Sequence, residues 1–196
     1  VSAIDEKSSG APLDPPAGAD ALPDVQPLFE ADAIARRIDE IAHEIAGVMP
    51  RDLLVVAILK GGFVFAADLI RALNRAGLCP QVDFMTLSSY GTGTESSGRV
   101  RVGRDLDDDV KGRDVLLVDD ILESGRTLAA ARDLLLERGA KSVRICVLLD
   151  KPGKRKVSGD ADFSGFTVAD QFVVGFGLDY AHYFRDLPFI GTIKTG

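Results

Sequence analysis

Two carboxylates, Asp119 and Asp120, stand side by side in VLLVDDILESGRTL, the stretch from Val115 to Leu128. The apolar residues Val115 to Val118 read as a buried strand, and after a short polar turn a helix is expected from about Gly125 to Arg138. Backbone N–H groups at such a helix start have no partner within the helix, and with the helix dipole they suit an anion. Ser124 and Thr127 add hydroxyl donors, and Arg126 adds a cation. Two acids would repel a bare phosphate, so sugar hydroxyls or a hydrated Mg²⁺ suit them better. A phosphate grip beside a diol or metal grip describes a phosphorylated ribose. An ordinary strand-to-helix junction would account for Ser124 alone, as a helix cap. It does not account for two acids directly after a buried strand, which cost stability unless something uses them.

Rival signatures fail. No stretch supplies GxxxxGK(S/T), Gly91 and Gly93 lack GxGxxG spacing, and there is no GxSxG elbow. Neither His43 nor His182 belongs to a metal-spaced pair, and Cys79 and Cys146 lie far apart without a CxxC neighbour. A disulfide scaffold or structural zinc site is therefore not expected. The chain has 196 residues, which suits one domain, and its net charge of -7 argues against duplex nucleic acid as the main partner. No apolar run approaches the roughly 20 residues of a membrane span. The amino end lacks the cationic-then-apolar pattern of a secretory signal. The expectation is a soluble, cytoplasmic protein with no membrane partner.

The elements that must position these residues follow from periodicity. Residues 1–28 hold five of the nine prolines and little apolar pattern, and read as a disordered acidic tail. The folded domain is expected to run from 29 to 196. Ile34, Ile38, Ile41, Ile45 and Val48 form one helical stripe that ends before Pro50. Leu53 to Leu59 reads as a buried strand, Phe63 to Ala76 as a helix closed by Gly77, and Gln81 to Ser89 as a strand. Gly91 to Gly98 is small and polar, suggesting a mobile loop. Val143 to Leu149 and Phe172 to Gly175 are further strands. Strands apolar on both faces, alternating with helices, predict an α/β domain around a mostly parallel central sheet flanked by helices. In such sheets ligands sit at the carboxyl ends of strands. Lys60, Gly61 and Gly62 stand at one such end, where glycines let a backbone approach closely. The run from Lys154 to Lys156 reads as a solvated basic patch.

DDILESGRTL resembles the phosphoribosyl-diphosphate (PRPP) binding motif of type I phosphoribosyltransferases. AILKGGFVF (Ala57 to Phe65), SSYG (Ser88 to Gly91) and DQFVVGFGLDYAHYFRDLPFIG (Asp170 to Gly191) narrow the resemblance to hypoxanthine-guanine phosphoribosyltransferases. It spans roughly residue 29 to the end and implies a small hood built from chain-terminal segments beside the central sheet. By that resemblance Asp119 and Asp120 take the ribose hydroxyls, directly or through Mg²⁺, while Glu123, Ser124, Gly125, Arg126 and Thr127 hold the 5-phosphate. Glu123 stands where the family usually has Asp, the group assisting proton transfer at N7 of the purine, and both Asp119 and Asp120 stand where the family has Glu then Asp. Leu59, Lys60 and Gly61, often joined by a cis Leu–Lys peptide, and Arg185 bind diphosphate. Lys151 donates to O6 of the purine, Phe172 stacks on its face, and the Val173 backbone pairs with its edge. Asp179 completes that side and holds a second Mg²⁺. Ser88, Ser89, Tyr90 and Gly91 begin the mobile loop.

The activity implied is transfer of phosphoribosyl from PRPP to N9 of hypoxanthine or guanine, giving IMP or GMP and diphosphate, by a homodimer or homotetramer. A xanthine-preferring enzyme remains open, because Lys151 does not separate the oxopurines. So does a PRPP-binding regulatory protein, with Glu123 as its only support. An RNA-binding regulator fits the net charge less well. Glu123 as a structural carboxylate at a helix start, and Phe172 and Val173 as ordinary core, are the plain readings of those residues.

Overall fold

The computed structural model describes residue 18 and residues 22–89 and 100–193. In chain order the first elements are β1 (Val25–Phe29), α1 (Ala31–Ala46), β2 (Leu54–Leu59), α2 (Phe63–Arg75), β3 (Gln81–Ser89) and β4 (Val100–Arg104). Then come β5 (Asp114–Leu122), α3 (Arg126–Glu137), β6 (Ser142–Asp150), β7 (Phe163–Thr167), β8 (Val173–Val174) and β9 (Ile190–Ile193). One 3-10 turn, Pro152–Lys154, follows β6.

Six strands form the main sheet in the order β4-β3-β2-β5-β6-β7. Every pairing in it is parallel except β3 with β4. Strand β2 shows how alternation builds two layers. Val55 and Ala57 pack with Ile34, Ile38 and Leu69 of α1 and α2, while Leu54, Val56 and Ile58 pack with Leu128, Ala131 and Leu135 of α3. Because both faces are covered, β2 and the inner runs of β5 (Val115 to Val118) and β6 (Ile145 to Leu149) are wholly apolar. The chain runs from β2 outward to β3 on one side and from β5 outward to β6 on the other. The switch between directions falls at the β2–β5 pair, where a crevice opens at the strands' carboxyl ends.

A second, three-stranded sheet, β1-β9-β8, is antiparallel and draws on both ends of the described chain. This is the expected hood, and it brings one correction. Residues 25–28, assigned from composition to the tail, lie in β1, where Val25, Gln26 and Pro27 pair with Ile193, Thr192 and Gly191. Pro27 is tolerated because β1 lies at an edge, where no ladder donor is needed on the open side. The segment Phe172 to Gly175 contributes β8 to this sheet and not to the main one. Val48, the last member of the expected stripe, lies beyond α1 and is exposed. Tyr90, Gly91 and the rest of the expected mobile loop lie outside the described residues; Ser88 and Ser89 close β3, in register with Arg101 and Val100.

Candidate functional site

Strand β5 continues four residues past the apolar run, because its ladder with β6 persists to Ile121↔Leu149 and Leu122↔Asp150. Asp119 and Asp120 are thus held in the sheet, half-buried, and the turn begins only at Glu123. Asp120 N–H donates to Asp119 Oδ1 (2.9 Å), and Ile121 N–H donates to Asp120 Oδ1 (2.8 Å). Burial, reinforced by the neighbouring Asp120 charge, holds the Asp119 carboxyl well above the usual carboxylate range. Burial pushes Asp120 up as well, against its hydrogen bonds and the pull of the Arg185 guanidinium.

Residues Asp119 to Gly125, with Thr127 and Leu128, line an open cavity with ≈ 530 Å³ of empty space. Gly125 takes the left-handed conformation (φ 78°) that starts α3, and a Cβ there would meet Val157 O at 3.2 Å and Arg155 Cδ at 3.3 Å. The first N–H groups of α3 therefore open at the cavity, with Ser124 Oγ a distant acceptor from Arg126 N–H at 3.4 Å. Behind the turn, Arg155 departs from the solvated role expected of it. It is half-buried, and its Nη1 donates to Leu122 O and Glu123 O, both at 2.9 Å. Lys154 also has a partner, Asp170 Oδ2 at 3.0 Å.

The end of β2 forms the second wall. The Leu59–Lys60 peptide is cis, as the family resemblance implied, and Lys60 is exposed. A Cβ on Gly61 would overlap the Asp120 carboxylate, and one on Gly62 would meet Asp119 Cα at 3.3 Å. Gly61 is thus demanded by the Asp120 side chain, while Gly62 is held tight by Ile58 O (3.0 Å) and the β5 backbone. The third wall is the segment after β8. A Cβ on Gly177 would overlap Gly61 O. Arg185 Nη1 donates to Gly177 O (2.6 Å), and its Nη2 pairs with Asp179 Oδ1 (2.6 Å). The other Asp179 oxygen accepts His182 N–H at 2.8 Å.

Just after β6, Lys151 is buried, with Nζ donating to Glu123 Oε1 (3.0 Å) and 3.5 Å from Asp170 Oδ1. Phe172 is 49% exposed, which removes the reading of it as core, and meets Tyr180 edge to face at 6.1 Å. Val173 is buried on β8. The acid pair and the turn line the cavity, Gly61 packs on Asp120, the Arg185 charge acts on Asp120, and Lys151 reaches Glu123. Two residues join this network without a functional role expected of them: Asp170, facing Lys151, and Arg155, behind the turn. The motif containing Asp170 was visible, but nothing local marks a carboxylate that faces Lys151.

Among the described residues no group of three or more His, Cys, Asp or Glu could enclose a metal ion. Asp119 and Asp120 still suit Mg²⁺, which takes one or two carboxylates and fills its octahedron from water and substrate oxygens.

A mostly parallel sheet whose switch point carries an acid pair and a glycine-led helix start is the frame, and residues 25–181 match the family model described as phosphoribosyl transferase domain. The chain is 42% identical over 172 residues to the hypoxanthine phosphoribosyltransferase of Escherichia coli (strain K12), covering 86% of this chain and 95% of that one. Identity is 47% over 169 residues with the hypoxanthine-guanine phosphoribosyltransferase of Aquifex aeolicus (strain VF5), covering 85% and 93%. It is 48% over 168 residues with the bifunctional protein TilS/HprT of Listeria innocua, where 85% of this chain spans only 26% of the relative's length. A crystal structure of a hypoxanthine phosphoribosyltransferase from Staphylococcus aureus matches with TM-score 0.81 at 39% identity, over 86% of this chain and 91% of that one. The chain belongs to the hypoxanthine(-guanine) phosphoribosyltransferases.

Proposed function

We propose that this chain transfers 5-phosphoribosyl from PRPP to N9 of hypoxanthine or guanine, releasing diphosphate and forming IMP or GMP in purine salvage. The observation that carries the reading is the adjacency of a donor and an acceptor, Lys151 Nζ and Glu123 Oε1 at 3.0 Å, beside the acid pair and phosphate turn. A 6-oxopurine carries O6 and N7–H at neighbouring positions on one edge. Lys151 donates to O6 and Glu123 accepts the N7 proton as N9 attacks the anomeric carbon. Adenine presents an amino group where O6 would be, and two donors would then face each other. Phe172, exposed at the rim, stacks on the base, and the Val173 backbone meets its edge.

The turn from Glu123 to Thr127 holds the 5-phosphate, and Asp119 and Asp120 hold the ribose hydroxyls. As the bond to diphosphate breaks, charge builds on the leaving group, where the Leu59–Lys60–Gly61 backbone, the Lys60 ammonium and Arg185 receive it. Asp179 orients Arg185 through the 2.6 Å pair. Mg²⁺ held by Asp119 and Asp120, and a second Mg²⁺ held on the diphosphate side by Asp179, would supply further charge neutralisation there. The same reading makes the protein cytoplasmic and a homodimer or homotetramer. Among the described residues no helix is long and apolar enough to cross a membrane.

The test is nucleotide formation from PRPP and Mg²⁺ with hypoxanthine, guanine, xanthine and adenine in parallel. Turnover with hypoxanthine or guanine and none with adenine is expected. Xanthine turnover alone would move the assignment to that base, and PRPP binding without turnover would make the chain a regulatory protein.

A further inference from the structure

A turn that presents its N–H groups to an anion must send its carbonyls the other way, and those carbonyls need partners behind it. In residues 122–124 all three carbonyls find partners on one segment, residues 151–157. Leu122 O accepts Lys151 N–H at 3.0 Å and Arg155 Nη1 at 2.9 Å. Glu123 O accepts the same Nη1 at 2.9 Å. Ser124 O accepts Lys156 N–H at 3.0 Å and Val157 N–H at 3.2 Å. Arg155 supplies the one side chain in this set. Its second arm, Nη2, reaches Asp150 Oδ1 at 2.5 Å at the end of β6, and the side chain is only 15% exposed.

We infer that Arg155 is a positioning residue for PRPP binding, locking the carbonyls of Leu122 and Glu123 away from the cavity so that the N–H groups after them face the 5-phosphate. This rests on the reading of residues 123–127 as the phosphate turn. The planar guanidinium suits the task because one fork spans two carbonyls and a carboxylate at fixed angles. Without it, Leu122 O keeps the Lys151 N–H, but Glu123 O loses its charged donor and its peptide can rotate toward the cavity, where a carbonyl would repel phosphate. Lys151 begins the same segment, so the 3-10 turn Pro152–Lys154 links the group facing the purine edge to the group behind the phosphate turn.

Three proteins decide the matter: the parent, Arg155→Met and Arg155→Lys. KM and kcat are measured for PRPP and for hypoxanthine, and melting temperature with and without ribose 5-phosphate, which carries phosphate and diol but neither diphosphate nor base. Arg155→Met is expected to raise KM for PRPP about tenfold, or about 1.4 kcal/mol, with hypoxanthine KM changing less than about threefold. The thermal shift produced by ribose 5-phosphate should largely vanish. Arg155→Lys, which keeps a cation but not the fork, should fall between Met and the parent. A lower melting temperature with unchanged PRPP KM would make Arg155 a fold anchor only and overturn the inference. If the Met variant does not fold, the Lys variant decides by the same two readings. A parent that turns over no base and gains no stability from ribose 5-phosphate would overturn the functional reading itself. A parent stabilised by ribose 5-phosphate, with the effect lost in the variants, supports the role of Arg155 whatever the base.

Discussion

Asp119 sits where a carboxylate is poorly solvated and faces a second one, so the ligand-free fold disfavours its charge. The sign follows from linkage. A folded pKa above the unfolded value means the stabilising, protonated form prevails below the unfolded pKa, and its contribution is lost as pH rises through the folded value. At neutral pH the charged pair is therefore a cost to the empty protein, which substrate hydroxyls and Mg²⁺ would offset. Asp119→Asn keeps an oxygen for Asp120 N–H and removes the charge. Without ligand it should melt a few degrees higher than the parent at pH 7.5, with the gap closing toward pH 4. With PRPP and Mg²⁺ the order should reverse, since only the parent gains from binding. An unchanged melting temperature at pH 7.5 would show that the pair carries no such cost. This acid pair was legible because its chemistry is contiguous with the turn it serves. Arg155 was not, because its partners are carbonyls about thirty residues back and a basic run gives no sign of which cation turns inward.

The elements most readable were those whose burial imposes a period. The isoleucines of α1 recur at helical spacing because one face meets the sheet, and β2, β3, β5 and β6 stand out as apolar or alternating runs. The strands missed, β1, β4, β7 and β9, are edge strands of one sheet or members of the small one, with at least one side relieved of the demand for apolar residues. Another element invisible to periodicity is the turn Tyr180–Tyr183. Tyr180 N–H and Tyr183 N–H each donate to the other's carbonyl, at 3.2 and 3.0 Å, across two residues that are both left-handed, Ala181 (φ 49°) and His182 (φ 72°). That geometry is the type I′ turn, which favours Asn-Gly over Ala-His. Replacing the pair, Ala181→Asn with His182→Gly, should stabilise the protein by about 1 kcal/mol, or some 2–4 °C in melting temperature. His182 N–H to Asp179 Oδ2 is a backbone contact and survives the change. A lower melting temperature would mean that these side chains hold the turn by contacts stronger than the backbone preference.

At the scale of the whole molecule, the crevice has two supports of different origin. In the proposed reading the main sheet carries the phosphate turn, the acid pair, Lys60 and the Lys151–Glu123 pair, while the small sheet carries Val173, with Phe172 just before β8 and Arg185 between β8 and β9. The small sheet depends on β1, drawn from a stretch whose composition looks like tail. Val25 Cγ1 and Gln26 O pack so closely on Gly191 that a Cβ there would meet them at 2.5 and 2.7 Å. Phe29 stacks on Phe166 of β7, with ring centroids 4.1 Å apart, and so ties the small sheet to the large one. Two truncations separate strand from tail: one removing residues 1–22, the other removing 1–28. Their difference is residues 23–28, which hold all of β1 except Phe29. Losing them unpairs most of one side of β9 and exposes the apolar contacts of Ile190 and Ile193, so the shorter protein should melt at least about 5 °C below the longer one. Because β9 also pairs with β8, KM for hypoxanthine should rise more than KM for PRPP, whose proposed phosphate and ribose grip lies on the main sheet. Equal losses for both substrates would show instead that the two sheets stand or fall together, with no separate support for the base.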